Sequence, residues 1–259
     1  MNKIIIFLSL CLFGCATDLD RIQTDNQPQL QTLPNQDFIN LPPPKDGKII
    51  LAVYNFSDKT GQKKASDKIA QFSSAVTQGA ESWLIKSLQE AGNGSWFRVV
   101  ERVGLDNLIK ERQIIRQMRD LYEGKDSKPL PPLIFAGIII EGGIISYDTN
   151  VKTGGVGIRL LGIGPNTQYR QDQVTVSLRA ISVNTGEVLS SISVEKNILS
   201  VGSSVSILKF YDMDTKAFEF EAGSTINEPT NYSVRSAIQT AVLELIRDGI
   251  KKGLWQYNE

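Results

Sequence analysis

The sequence predicts an α+β protein in which helices pack on a mixed sheet and two long β-hairpins are inserted into that sheet. Three observations lead there. Apolar residues recur at helical spacing in three places, most regularly at Val234, Ala237, Ile238, Ala241, Val242, Leu245, Ile246 and Ile250. Two short apolar runs, 48–56 and 133–145, are too short to cross a membrane as helices and read as buried strands. Finally, residues 151–171 and 201–221 alternate between apolar and small or polar types. The first of these carries a glycine every two or three residues, and each glycine costs about 1 kcal/mol in a helix relative to alanine.

In chain order, the strand at 48–56 leads through a polar loop, 60–78, to a helix over about 74–90 marked by Ala80, Trp83, Leu84 and Leu88. Gly92, Asn93 and Gly94 stop it. A second strand follows at 96–101, and Leu105, Leu108, Ile109 and Ile115 mark a helix over 104–121 whose stripe is expected in the core. A charged, proline-rich loop (123–132) precedes the interior strand that feeds the first hairpin. That hairpin is expected to turn at 162–166, and the second, 201–221, at 212–214. Between them, Val174, Val176, Leu178 and Ala180 alternate with polar residues, turn at Asn184, Thr185 and Gly186, and return through Val188, Ile192 and Val194. Pro229 opens the last helix, Lys251 and Lys252 suit its negative end, and Gly253 stops it.

In each hairpin, valines, isoleucines and aromatics take alternate places: Val156, Ile158 and Leu160, then Val201, Val205, Ile207, Phe218 and Phe220. Strands of about ten residues, tilted by about 40°, cross an apolar band about 25 Å tall with one face to lipid and one to water. On periodicity alone the same pattern fits two long surface hairpins of a soluble sheet.

The amino terminus has Lys3, an apolar run of about ten residues, and Gly14-Cys15. This reads as a signal peptide, since a spanning helix needs about twenty. Leu12-Phe13-Gly14-Cys15 resembles the lipobox of bacterial lipoproteins, in which the leader (1–14) is cut and the cysteine acylated; the competing reading is an ordinary secretory leader. Cys11 leaves with the leader, so the mature chain keeps one thiol and forms no internal disulfide. Ala16 after the cysteine points to outer-membrane sorting. Residues 15–47 are rich in Gln, Asn, Asp, Thr and Pro and read as an extended arm, stiffened by Pro42, Pro43 and Pro44.

The 28 basic and 28 acidic residues cancel, which removes any electrostatic case for nucleic acid. The chain has no histidine, so histidine-based triads and metal sites are excluded. The glycines at 154, 155, 157, 162 and 164 complete neither a phosphate loop nor a GxGxxG fingerprint. An enzyme is not expected, and no cofactor beyond the lipid on Cys15.

EGGIISYDTNVKTGGVGIRLLGIGPNTQYRQDQ (141–173) resembles the matching stretch of the CsgG family, outer-membrane lipoproteins through which curli subunits are secreted. So do VYNFSDKTGQ (53–62), NLIKERQIIR (107–116), NTGEVLSS (184–191) and IRDGIKKGLW (246–255), in the same order. The resemblance implies a periplasmic α/β domain (48–150, 172–200 and 222–259) and two transmembrane hairpins (151–171 and 201–221). It further implies a homo-oligomeric ring of about nine subunits closing a barrel of about thirty-six strands, since four strands from one chain cannot close alone. The loop at 60–78 resembles a collar that narrows the channel with stacked rings of Tyr, Asn and Phe. On that alignment Phe72 carries the phenylalanine ring and Gln71 takes the asparagine's place. The loop contains no tyrosine, is one residue longer after Gln62, and brings Asp67 nearest to the tyrosine's place. From the residues alone, Phe72 is equally a hydrophobic staple at a helix start.

Unfolded curli subunits are the implied cargo, with outer-membrane lipid, a periplasmic gating factor and an extracellular nucleator as implied partners. The competing class is a soluble periplasmic lipoprotein that scaffolds or regulates another envelope assembly without inserting.

Overall fold

The computed structural model describes residues 36–60, 79–124, 127–157, 163–210, 217–227 and 230–258. Its strands are β1 (Ile49–Asp58), β2 (Phe97–Val100), β3 (Ile138–Gly157), β4 (Ile163–Ser182), β5 (Val188–Phe210) and β6 (Ala217–Asn227). Its helices are α1 (Gln36–Ile39), α2 (Ala80–Gly94), α3 (Leu105–Tyr122) and α4 (Thr230–Lys251). All six strands form one sheet in the order β2-β1-β3-β4-β5-β6. β1 runs parallel to β2 and β3, and every other pairing is antiparallel, so the mixed sheet expected from the sequence forms.

Helices α2 and α4 pack on each other and on one face of the sheet. Leu84 and Leu88 of α2, Ile238, Leu245 and Ile246 of α4, and Leu51, Ile140, Ile144 and Leu178 of the sheet are all at most 1% exposed. Burying each such side chain contributes roughly 1.5–3 kcal/mol. The apolar stripes of α2 and α4 are therefore core, as their spacing predicts. Glu90 is the last regular residue of α2: Ala91 takes ψ 125°, and Gly92, Asn93 and Gly94 have φ of 58°, 52° and 78°. A side chain at position 92 would lie 2.6 Å from Trp96 Cδ1, so glycine is required there twice over.

Three expectations are corrected. The stripe of α3 is not core, for no residue of this helix is buried. Ile114, Met118 and Leu121 are about half exposed or more. Among the described residues α3 makes no extensive contact with another helix or strand. Arg112 and Arg119 instead donate to the carbonyls of Pro131 and Lys128 and hold the returning segment against it. Periodicity reports that a helix is amphipathic, not what covers it.

The arm is described from residue 36, and there it is not free. Phe38 is fully buried, Trp96 Nε1 donates to Pro42 O at 2.8 Å, and Pro44 bridges Tyr257. The carboxyl end holds this strap in place. Gly253 ends α4 at φ 70°, and Trp255 folds back over Gly249, donating from Nε1 to Ile246 O. Within Pro42-Pro43-Pro44 only Pro44 is buried; Pro42 and Pro43 are exposed and meet the domain through their carbonyls, which accept from Trp96 Nε1 and Asn258 N.

The first hairpin turns earlier than residues 162–166. Gly157 pairs with Asn166, and 163–165 already belong to β4 and pair with β5. In the second hairpin Phe210 pairs with Ala217, and the expected turn at 212–214 lies outside the described residues.

Candidate functional site at the base of the hairpins

The sheet does not end where the helices end. β3, β4 and β5 continue as single strands of 20, 20 and 23 residues from the helix-covered core into the hairpins. β3 leaves the core through two irregularities, between Ile144 and Ser146 and between Asp148 and Lys152, and bulges of this kind bend and re-aim a strand. Gly142 and Gly143 let the strands close up just before. A Cβ would lie 2.1 Å from Ser177 O at the first and 2.2 Å from Ser57 O at the second.

Register sorts the hairpins into two alternating sets. Directly opposed residues lie on the same side of an antiparallel pair. One set runs through Val156 and Gly154 on β3; Ile163, Pro165, Thr167 and Tyr169 on β4; Val201, Val205 and Ile207 on β5; and Phe220, Ala222 and Ile226 on β6. The other runs through Thr153 and Gly155; Asn166, Gln168, Arg170 and Asp172; Ser200, Gly202, Ser204 and Ser206; and Glu221, Gly223 and Thr225. The first set is mainly apolar, with Ser203, Lys209 and Ser224 among its members; the second is mainly polar or glycine, with Ile198 at its core end and Leu208, Phe210 and Ala217 at its far end. Val201, Val205, Ile207, Phe218 and Phe220 share one alternation, as their spacing predicts; Ile158 and Leu160 lie outside the described residues. Along β4 the polar set continues into Val174, Val176, Leu178 and Ala180, which are buried under the helices. The helix-covered side of the core and the polar side of the hairpins are therefore one side.

At the join sits a buried polar cluster that sequence reasoning missed. Asp172 is 1% exposed, and Arg170 Nη2 donates to its Oδ2 at 2.7 Å. The Tyr147 hydroxyl donates to the same oxygen at 3.3 Å and also bonds Thr230 at the start of α4. Burial pushes the Tyr147 hydroxyl above the usual tyrosine range, and the nearby Asp172 carboxyl adds to the shift. The available signal was Arg170 and Asp172 two apart on a strand, on the side that becomes core two residues later.

Cys15, Asp67, Gln71 and Phe72 lie outside the described residues, so the structure shows only the attachment points of the loop that carries the last three. β1 ends at Asp58, opposite Ile144 of β3, and Lys59 N donates to Ile144 O. Asp58 Oδ1 accepts from both the backbone N–H and the hydroxyl of Thr60, at 2.8 and 2.7 Å. Gly79 starts α2, which packs on the side continuous with the polar set. β1 is parallel to β3, so both ends of segment 61–78 attach at the hairpin end of the core.

Two edges are open among the described residues. β3 loses β1 after Ile144, leaving its outer half paired with β4 alone, and β6 pairs only with β5. No described helix is long and apolar enough to cross a membrane, which says nothing of strands. No group of described His, Cys, Asp or Glu residues could hold a metal ion.

Residues 32–259 match the family model for the curli production assembly/transport component CsgG. The chain is 42% identical over 260 residues to the curli production assembly/transport component CsgG of Citrobacter koseri, covering 98% of this chain and 91% of that one. It is 41% identical to the protein of the same description from Escherichia coli K12, with the same coverage. Among solved structures it matches a PelC dodecamer from Paraburkholderia phytofirmans at 11% identity over 78% of this chain and 88% of that one, with a TM-score of 0.28, a likeness too loose to carry weight. By its family match and its near full-length identity to these relatives, the chain belongs to the CsgG family of curli production assembly/transport components.

Proposed function

We propose that several copies of this chain close a β-barrel in the outer membrane and form a channel through which unfolded curli-type subunits leave the cell. The observation that carries the reading is the hairpin sheet: four strands, one mainly apolar and one mainly polar alternation, and two edges that are unpaired among the described residues. An open edge in lipid leaves backbone donors and acceptors unpaired at a cost of several kcal/mol each, so such a sheet crosses a membrane only when neighbours close it. Nine copies, the number the family resemblance implies, supply thirty-six strands. The apolar set faces lipid and the polar set lines the lumen.

The loop at 61–78 then hangs from the membrane-side rim of the periplasmic domain on the lumen side, where a collar has to be. Phe72 narrows the lumen with a ring of aromatic faces, Gln71 forms the neighbouring amide ring, and Asp67 takes the place nearest the missing tyrosine. Such rings let an extended chain slide past without holding it. Cys15 carries the lipid anchor, about twenty residues ahead of the strap that begins at Gln36. Transport draws on no nucleotide. A periplasmic gating factor and an extracellular nucleator complete the expected set of partners.

The test is single-channel conductance of detergent-extracted, acylated protein in planar bilayers, comparing wild type with Phe72→Ala. A steady pore that widens in the variant supports the barrel and the Phe72 ring. A pore of unchanged conductance removes Phe72 from the constriction. No conductance from folded, lipidated protein points instead to a soluble scaffold.

A further inference from the structure

We propose that one row of residues at the base of the hairpins, Lys152, Gln171 and Leu199 with Tyr169 one step outward, seats the phospholipid headgroups of the periplasmic leaflet. The proposal rests on the barrel reading above and fixes where along the strands the lipid begins.

Lys152 pairs with Gln171, and Gln171 pairs with Leu199, so the three form one row across β3, β4 and β5 on the apolar alternation. Leu199 is 50% exposed although its neighbours Ile198 and Ser200 on the other side of the sheet are buried, and Tyr169 is 45% exposed. Below the row the same alternation turns polar across the strands. Gln173 donates to Glu195, Ser193 to Ser177, and Arg179 pairs with Glu141. Above it come Val201, Val205 and Ile207, and the next charged residue of that alternation on β5 is Lys209. The roughly ten residue steps from Leu199 to Lys209 rise about 33 Å, or about 25 Å along the membrane normal at a tilt of about 40°, the height of a barrel's apolar band. Starting the band two residues lower brings Asn197 into it, and four lower brings Glu195; starting it higher leaves Leu199 in water and the band too short.

The row also has the chemistry of a headgroup boundary. Tyr169 lies with its ring against Gly154, where a Cβ would meet Cε1 at 2.5 Å, which sets an amphipathic aromatic at the band's edge. Lys152 is exposed and presents a cation at the level of the lipid phosphates. The occupant is therefore a glycerophospholipid headgroup rather than a neighbouring protein surface.

Single cysteines at Glu195, Leu199 and Val205, labelled with an environment-sensitive fluorophore, test this in the assembled protein reconstituted in phosphatidylethanolamine–phosphatidylglycerol vesicles. We expect the label at 205 to be quenched by nitroxide deep in the acyl chain, that at 199 by nitroxide on the headgroup, and that at 195 by neither. A label at 199 that stays water-like, or that is shielded from lipid nitroxide, while 205 is lipid-buried overturns the row and leaves the barrel standing. Quenching at 195 equal to that at 199 also overturns it. A water-like label at 205 removes the barrel itself. As an independent check, Lys152→Glu is expected to lower recovery of the oligomer several-fold in vesicles containing phosphatidylglycerol and not in pure phosphatidylcholine. Equal recovery in both overturns the phosphate contact.

Discussion

Asp172 shows how a single charge is placed in this molecule. It is almost fully buried, yet Arg170 and Tyr147 both donate to it, so the desolvation it suffers is largely offset. Removing one partner of such a pair is costly, and Asp172→Ala is expected to lower stability by about 3 kcal/mol in denaturation of the detergent-solubilised protein. The exposed pair Arg247–Glu244 offers the contrast, since its loss is worth about 0.5 kcal/mol or less. Asp248 carries a pH dependence. Hydrogen bonds from Lys252 and then Ser190 hold its carboxyl below the usual carboxylate range. The folded value lies under the unfolded one, so the stabilisation is present above a pH of about 4 and is lost as pH falls through the depressed folded value. Asp248→Asn is expected to be less stable at neutral pH and to show a shallower loss of stability on acidification than wild type. The Asp172 cluster was not legible from residue types, because a charge on a strand reads as solvated until the pairing register shows which side it is on, and the bond from Ser190 to Asp248 joins β5 to α4 across 58 positions of chain.

At the scale of elements, legibility followed what local chemistry can encode. The stop of α2 at Gly92-Asn93-Gly94, the Gly253 stop of α4 and the alternation of the hairpins are all set by residues in contact with their own neighbours in sequence. The strap at 36–46 was not legible, because it is held by Trp96, Gln256, Tyr257 and Asn258, which are far away in the chain. Gly249 is the hinge of that arrangement. A Cβ there would lie 2.0 Å from Trp255 Cζ2, so Gly249→Ala is expected to displace the indole, shift tryptophan emission, and cost roughly 1–3 kcal/mol by overpacking. Helix α3 predicts the reverse. Ile114 is 51% exposed, and Ile114→Ser is expected to change stability by less than about 0.5 kcal/mol where a buried isoleucine would cost several times more.

On the scale of the whole molecule, the chain reads as a fragment of something larger. Its core is satisfied, with two helices closing one side of the sheet, but its hairpins are not. Among the described residues they end in one free edge on the outer half of β3 and another along β6. Length, family and mixed sheet were legible in the sequence. The sharing of one side by helix layer and polar hairpin set was not, since it depends on β4 keeping its phase without a break from Ile163 to Ala180. In the channel we propose, that continuity lets a periplasmic ring and a membrane barrel share one lumen. The central claim is that the edge of β6 in one copy meets the outer edge of β3 in the next. Paired cysteines, one scanned along 219–227 and the other along 147–157, test it directly when membranes carrying the protein are oxidised. The account predicts a ladder of covalent multimers for pairs in register and none for pairs out of register; a chain that stays monomeric across the whole scan would contradict it.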